Sequence, residues 1–146
     1  LKDADAVRAA VEKMQQRFSE DDPSFFVQKY LPGGLELIMG AKAEEGLGHA
    51  VMFGLGGIFV EIMKDVVFNL TPVSAGEAGQ MLAAIKGASM LEGVRGQKGV
   101  NRNLLIEIIQ RLSQLLTNLP EIQEMDLNPL VAFEDQVFVV DARMAI

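Results

Sequence analysis

Two short segments near the carboxyl end of the chain carry oxygen groups of the kind that bind magnesium. Asn128 stands in the string Asp126-Leu127-Asn128-Pro129, and Asp141 closes the apolar run that follows. If the two runs form strands joined by a short hairpin, Asn128 and Asp141 lie side by side. A carboxylate and an amide oxygen together suit a Mg²⁺ ion that bridges substrate phosphates. The alternative is that Asp126 and Asn128 only form a turn before the proline, and that Asp141 only ends a strand.

A glycine cluster and an arginine are two further candidates for phosphate binding. The backbone N–H groups of Gly54-Leu55-Gly56-Gly57 could converge on a phosphate without obstruction by Cβ atoms. The spacing matches neither standard nucleotide motif, so a tight turn or bulge between strands is favoured. Arg95, set between glycines, could bind a phosphate through two parallel hydrogen bonds or could pair with a carboxylate. The residues themselves leave both interpretations of Arg95 open.

The single histidine, His49, is the only residue on which a Ser-His-Asp triad or a phosphohistidine could be built. No orienting acid lies near it in the sequence, and it begins a predicted strand. We therefore interpret His49 as a half-exposed structural residue. The absence of cysteine excludes disulfides, thiolate zinc sites and cysteine nucleophiles, and one histidine is too few for a multi-histidine metal centre.

The charge balance excludes several classes of partner. The 146 residues include 13 Lys and Arg against 20 Asp and Glu, which gives a formal net charge of −7. Nucleic acids and anionic membranes attract proteins of the opposite sign, so neither is an expected partner. No apolar run approaches the ~20 residues of a membrane span, and the first residues lack the pattern of a signal peptide. We expect a cytoplasmic protein.

Elements that would position these groups can be read from periodicity and capping residues, and they indicate an α+β fold. Asp3 or Asp5 could cap a first helix. Ser74 with Glu77 forms a capping box for a second helix reaching about residue 86, and Asn101 caps a third. The third helix has a leucine-rich face that includes Leu115. Strands are predicted at residues 25–27, 35–41, 49–53, 58–63, 66–70, 122–127, 130–133 and 136–140, with a hairpin turn at residues 134–135.

Six strings in order along the chain resemble one family. They are GLELIMG at 34–40, VMFGLGGIFVE at 51–61, KDV at 64–66, EGVRG at 92–96, DLNPL at 126–130 and VDAR at 140–143. Together they resemble the ATP-grasp domain of ADP-forming (NDP-forming) acyl-CoA synthetases, which are relatives of the succinyl-CoA synthetase β subunit. The resemblance covers nearly the whole chain.

The resemblance implies an ATP-grasp fold, with a mainly antiparallel sheet packed against helices. Residues 1–22 would end the N-terminal subdomain, residues 23–34 would form a hinge strand, and residues 35–146 would form the C-terminal subdomain. The lysine and the glycine-rich loop of the N-terminal subdomain have no counterpart here. The chain is therefore expected to be the C-terminal part of the domain, to bind ATP weakly by itself and not to turn over.

The resemblance also implies roles for individual residues. Gln28 and the backbone of Leu31 would contact the adenine, although Gln28 stands where relatives carry a glutamate. Glu36 would bind the ribose hydroxyls. Asn128 and Asp141 would be the two Mg²⁺ ligands. Arg95 lies in a family motif and is kept as a candidate phosphate contact and candidate catalytic residue. The phosphorylated histidine of the family lies on a separate CoA-ligase domain, and many relatives have proline in place of His49.

The implied function is the nucleotide half-reaction of an ADP-forming acyl-CoA synthetase, an acid–CoA ligase. Such an enzyme converts acid, CoA and ATP to acyl-CoA, ADP and phosphate through a phosphohistidine on another domain or subunit. The implied cofactors are Mg²⁺ and ATP or ADP, and exposed apolar surface would favour homo-oligomers. The alternative is a regulatory, nucleotide-sensing module fused to a protein acetyltransferase.

Overall fold

The computed structural model describes residues 1–18, 22–57, 64–93, 96 and 98–146. They fall into two compact units, Leu1–Leu31 (unit 1) and Pro32–Ile146 (unit 2). The boundary falls inside the segment predicted to be the hinge, residues 23–34. The strand predicted at residues 58–63 and the candidate phosphate contact Arg95 lie outside the described residues.

Unit 1 contains one helix, α1, at Ala4–Arg17, among its described residues. Asp3 caps it, because the carboxylate Oδ1 of Asp3 accepts the N–H of Ala6 at 2.8 Å. The strand predicted at residues 25–27 is wrong, and the segment 23–34 contains no strand, while its role as a hinge stays a prediction. Residues 22–34 form no strand, and the side chain of Phe26 is 86% exposed. A strand needs a hydrogen-bonded neighbour, and no described segment pairs with these residues.

Unit 2 is built on a sheet of six described strands in which each pairing is antiparallel. The strands are β1 Leu35–Glu44, β2 Gly48–Leu55, β3 Val66–Leu70, β4 Glu124–Ala132, β5 Val137–Val139 and β6 Ala142–Ala145. The order across the sheet is β3-β2-β1-β4-β5, and β6 pairs with the first half of β4. The predicted α+β class with an antiparallel sheet is confirmed.

Two helices and a short 3-10 segment connect β3 to β4. Helix α2 spans Ala75–Ala84, the 3-10 segment spans Ala88–Glu92, and α3 spans Arg102–Asn118. The predicted caps are confirmed, since Ser74 and Glu77 form the capping box of α2 and the Asn101 side chain accepts the N–H of Leu104 at 3.0 Å. The Ser74 hydroxyl and backbone N–H hold the pKa of Glu77 below its ordinary value of 4.5.

One face of the sheet packs against α2 and α3 to form the core. Its largest fully buried side chains are Phe53, Leu37, Met39, Leu55, Leu82, Leu91, Leu105, Ile109, Leu116, Ile122, Leu130 and Val51. Leu115 was predicted to be buried and is 38% exposed. At 100° per residue it lies roughly 90° away from the stripe formed by the buried leucines and isoleucine of α3. None of the helices in the described ranges combines the length and apolar character needed to cross a bilayer.

Candidate functional site

The sheet face away from the helices, the open face, carries most of the predicted site residues in unit 2. Side chains alternate between the two faces of a strand, and Leu37, Met39 and Leu130 point into the core. Glu36 on β1 therefore faces the open side. Asp126 does so on β4, where its register partners are Gly40 on one side and Arg143 on the other.

Asn128 and Asp141 are neighbours across two strands, as the hairpin predicted. The backbone N–H of Asn128 donates to the carbonyl oxygen of Asp141 at 3.1 Å, and the N–H of Val140 donates to the carbonyl oxygen of Pro129 at 3.0 Å. These two bonds bridge the interval between the β4–β5 and β4–β6 pairings. The structure thus places the amide and the carboxylate at one position of the sheet, while their role as metal ligands stays a prediction.

Asn128 lies in a β-bulge of β4. Leu37 of β1 pairs with Leu130, but Met39 pairs with Leu127, so one residue of β1 faces both Asn128 and Pro129. A bulge bends the strand and redirects a side chain, and bulges are frequent beside functional sites. The alternative that this segment is a turn before the proline is wrong, because β4 continues through it from Glu124 to Ala132.

The donor groups at this position are accessible. Asn128 is exposed, and the Asp141 side chain is 53% exposed with its Oδ2 at 3.5 Å from Nε of Arg143. No other described residue engages Oδ1 of Asp141 or the side-chain amide of Asn128. Within the described ranges there is no group of three His, Cys, Asp or Glu that could hold a metal. Two protein oxygens with open positions fit Mg²⁺, which usually keeps waters and takes further ligands from substrate phosphates.

Glu36 lies beside the glycine cluster at one end of the open face. Its carbonyl oxygen accepts the N–H of Gly56 at 2.8 Å. A Cβ atom on Gly56 would stand 3.0 Å from the carbonyl carbon of Glu36 and 3.1 Å from that of Leu37. Oε2 of Glu36 lies 2.8 Å from the position of a Cβ on Gly57, where φ is +59°. Close backbone approach at Gly56 and a left-handed conformation at Gly57 both favour glycine, which supports a structural reason for the cluster, while the turn or bulge between two strands stays a prediction.

The three remaining predicted contacts lie outside the described part of unit 2. Gln28 and Leu31 belong to unit 1, whereas Glu36 belongs to unit 2. Gln28 is exposed and Leu31 is half-buried. Their roles at the adenine, and that of Arg95 at a phosphate, stay predictions.

His49 is buried rather than half-exposed, so that part of the prediction is wrong. It is 4% exposed, and Nε2 lies 2.7 Å from the carbonyl oxygen of Ile122. A carbonyl oxygen only accepts hydrogen bonds, so Nε2 carries the proton and donates it. The ring ties β2 to the segment before β4. It therefore has a structural role.

Asp65 is a buried carboxylate that the sequence reasoning did not single out by itself. It is 2% exposed, and its Oδ1 and Oδ2 accept the backbone N–H groups of Lys86 and Gly87 at 2.6 and 2.8 Å. The pair of bonds fixes the end of the α2 region to the start of β3. The position of Asp65 directly before the apolar strand 66–70 is the feature of the sequence that indicates a buried carboxylate here.

The sequence profile and the similar proteins all indicate the same family. A sequence profile described as an ATP-grasp domain matches residues 1–146. The β subunit of acetate–CoA ligase [ADP-forming] I from Pyrococcus furiosus is 48% identical over 118 residues, or 81% of this chain and 51% of that subunit. The 4-hydroxybutyrate–CoA ligase [ADP-forming] from Nitrosopumilus maritimus is 48% identical over 108 residues, or 74% of this chain and 16% of that ligase. The chain thus spans about half of the first relative's length and about a sixth of the second's.

A solved structure matches nearly the whole chain. It is the dinucleotide-forming acetyl-coenzyme A synthetase 1 from Ca. Korarchaeum cryptofilum, in complex with coenzyme A and Mg-AMPPCP, with its phosphohistidine segment pointing towards the nucleotide-binding site. The TM-score is 0.86 at 35% sequence identity, and the match covers 99% of this chain and 64% of that one.

Proposed function

The chain belongs to the ATP-grasp domain family, and we propose that it is the nucleotide-binding part of an ADP-forming acyl-CoA synthetase. In the reaction, an acid, CoA and ATP give acyl-CoA, ADP and phosphate through a phosphohistidine. The similarity to two ADP-forming CoA ligases supports the proposal. The observation that carries it is the juxtaposition of Asn128 and Asp141 on the open face, joined by a backbone hydrogen bond.

The proposed work of the residues is to bind and orient. The amide oxygen of Asn128 and the carboxylate of Asp141 would hold Mg²⁺, and Glu36 would accept hydrogen bonds from the ribose hydroxyls. When bound, the ion neutralises charge on phosphate oxygens as the phosphoryl group is transferred. Asn128 lies in β4, and Asp141 lies between β5 and β6, which both pair with β4, so one sheet holds the two residues in register. Such positioning supplies much of the catalysis in phosphoryl transfer.

The phosphohistidine must come from another domain or subunit. His49 is the only histidine of the chain, and its Nε2 is engaged with the carbonyl oxygen of Ile122. We therefore propose a CoA-ligase domain or subunit as the partner. The similarity to a subunit called β in Pyrococcus furiosus, and to a structure whose phosphohistidine segment points towards its nucleotide-binding site, supports this partner. Since the relatives reported above are named as ligases and synthetases, the nucleotide-sensing module is not favoured.

A calorimetric titration of the full-length protein with ATP and ADP, with and without Mg²⁺, tests the proposal. Asn128→Ala and Asp141→Ala should each weaken the Mg²⁺-dependent part of binding by about tenfold or more, which corresponds to about 1.4 kcal/mol. Asp135→Ala is the matched control, because Asp135 is an exposed carboxylate in the turn between β4 and β5. Wild-type protein without Mg²⁺-dependent binding, or equal affinities in all variants, would refute the assignment.

A further inference from the structure

We propose that Arg143 binds a phosphate group of the nucleotide. It would be the phosphate that is bound to the same metal ion as Asn128 and Asp141. The proposal rests on the nucleotide-binding function proposed above and assigns to that site a residue for recognising the phosphate chain. Arg143 is the last residue of the VDAR string and follows Asp141 by two positions.

The guanidinium of Arg143 makes one long ion-pair contact with the described residues. Its Nε lies 3.5 Å from Oδ2 of Asp141, and the side chain is 79% exposed. The described residues offer no hydrogen-bond partner to its two terminal nitrogens. Those nitrogens form the planar fork that matches two oxygens of a phosphate. A long, exposed ion pair contributes little to folding stability, so the contact with Asp141 does not explain why an arginine stands here.

The position of Arg143 puts the fork beside the metal ligands. Arg143 lies in β6, Asp141 lies just before that strand, and the 3.5 Å between Nε and Oδ2 shows that the two side chains are on the same side of this edge. Magnesium holds its oxygen ligands at about 2.1 Å. A phosphate oxygen on the same ion as Asp141 therefore falls within reach of the guanidinium.

Carboxylates outnumber cations around Arg143. Asp126 is the register partner of Arg143 on β4, and Glu124 lies two residues before Asp126. With Asp141, three carboxylates border the approach to the site. A cavity of about 310 Å³ is lined by Glu124, Asp126, Arg143, Met144 and Ala145, and Arg143 is the only cation among these residues. Lys42, the register partner of Glu124, is a second cation on this face, but it lies on β1, farther from Asp141 than Arg143 does. Arg143 is therefore the cation placed to offset the repulsion between these carboxylates and a polyphosphate beside Asp141.

The test compares nucleotides with and without phosphates in the full-length protein. Calorimetry in the presence of Mg²⁺ would measure ATP, ADP and adenosine binding to wild type, Arg143→Ala and Arg143→Lys. We expect Arg143→Ala to weaken ATP and ADP binding by about tenfold or more and to leave adenosine binding unchanged. Lysine keeps the charge without the fork, so Arg143→Lys should recover only part of the loss.

Arg111→Ala is the matched control. Arg111 is an exposed arginine in an ion pair with Glu107 on α3, and α3 packs on the other face of the sheet. Its substitution should leave all three affinities at the wild-type values. Thermal unfolding of each variant checks that the fold is retained.

Metal binding without nucleotide separates a phosphate contact from an indirect effect through Asp141. Mn²⁺ binding, followed by electron paramagnetic resonance, should be equal or tighter in Arg143→Ala, because a neighbouring cation has been removed. Weaker Mn²⁺ binding, an equal loss of adenosine binding, or wild-type ATP and ADP affinities in Arg143→Ala would each overturn the proposal. Wild-type protein that binds no nucleotide would overturn the proposed function as well, whereas normal wild-type binding with an unaffected variant overturns only the role of Arg143.

Discussion

Replacement of Asp65 gives a sharp test of how unit 2 is held together. Asp65→Ala removes the two acceptors that bind the backbone N–H groups of Lys86 and Gly87 at 2.6 and 2.8 Å. A hydrogen bond to a charged group contributes about 1.5–3 kcal/mol, and a donor left without a partner costs additional free energy. Both bonds are only part-buried, and the carboxylate itself loses hydration on folding. We expect the free energy of unfolding to fall by about 3 kcal/mol.

Asp65→Asn refines the test. The amide keeps one acceptor oxygen but presents an NH₂ group to the second backbone N–H, so one of the two bonds is lost. We expect a loss of about 2 kcal/mol, between those of wild type and Asp65→Ala. Asp135→Ala is the control, because Asp135 is exposed and surface substitutions usually change stability by less than about 0.5 kcal/mol.

Urea denaturation followed by circular dichroism at neutral pH measures these differences from the midpoints and slopes. If Asp65→Ala unfolds within about 0.5 kcal/mol of Asp135→Ala, the two hydrogen bonds do not stabilise the native state as argued. If Asp65→Asn is no more stable than Asp65→Ala, the acceptor geometry is not what matters, and burial of the side chain alone accounts for the effect.

Two further predictions concern the glycine turn and the cap of α2. Gly56→Ala places a methyl group 3.0–3.1 Å from backbone carbons of Glu36 and Leu37, and should lower the free energy of unfolding by about 1–3 kcal/mol in urea denaturation. Gly76→Ala, where no atom lies within 4 Å of the new methyl group, should not lower it, and equal losses would contradict the close-approach argument. The lowered pKa of Glu77 means that its ionised form stabilises the fold above the unfolded-state pKa, and that this contribution is lost as pH falls below 4.5 through the folded-state pKa. The stability difference between wild type and Glu77→Gln, measured from pH 7 to pH 3, should therefore shrink towards the acid end, and a constant difference would contradict it.

Features governed by neighbours in sequence could be predicted. The caps at Ser74 and Asn101 depend on hydrogen bonds to residues three positions away, so residue type and spacing suffice to find them. The adjacency of Asn128 and Asp141 follows in the same way from a short hairpin. These are local rules, and the structure satisfies them.

Features governed by distant elements could not be predicted. The burial of His49 depends on Ile122, which is 73 residues away along the chain. β4 was predicted as two strands because proline lacks an N–H group, but Pro129 falls in the bulge, where the ladder with β1 is already interrupted. β6 was missed because all four of its residues are exposed, which leaves no alternating pattern of apolar residues. The segment 23–34 has apolar residues typical of a strand but no described partner.

The strand register between β4 and the β5–β6 edge makes the residue spacing between Asn128 and Asp141 useful for classifying related sequences. Leu130 pairs with Val139 and Leu127 pairs with Ala142. Asn128 and Asp141, which lie between these pairs, are therefore adjacent only in this register. An insertion or deletion of a single residue between Val137 and Asp141 would leave composition and hydrophobicity almost unchanged, yet it would turn the carboxylate towards the helices. Among homologues that keep both residues, the number of positions separating the asparagine from the aspartate within the strands should therefore distinguish those that bind metal from those that retain only the scaffold.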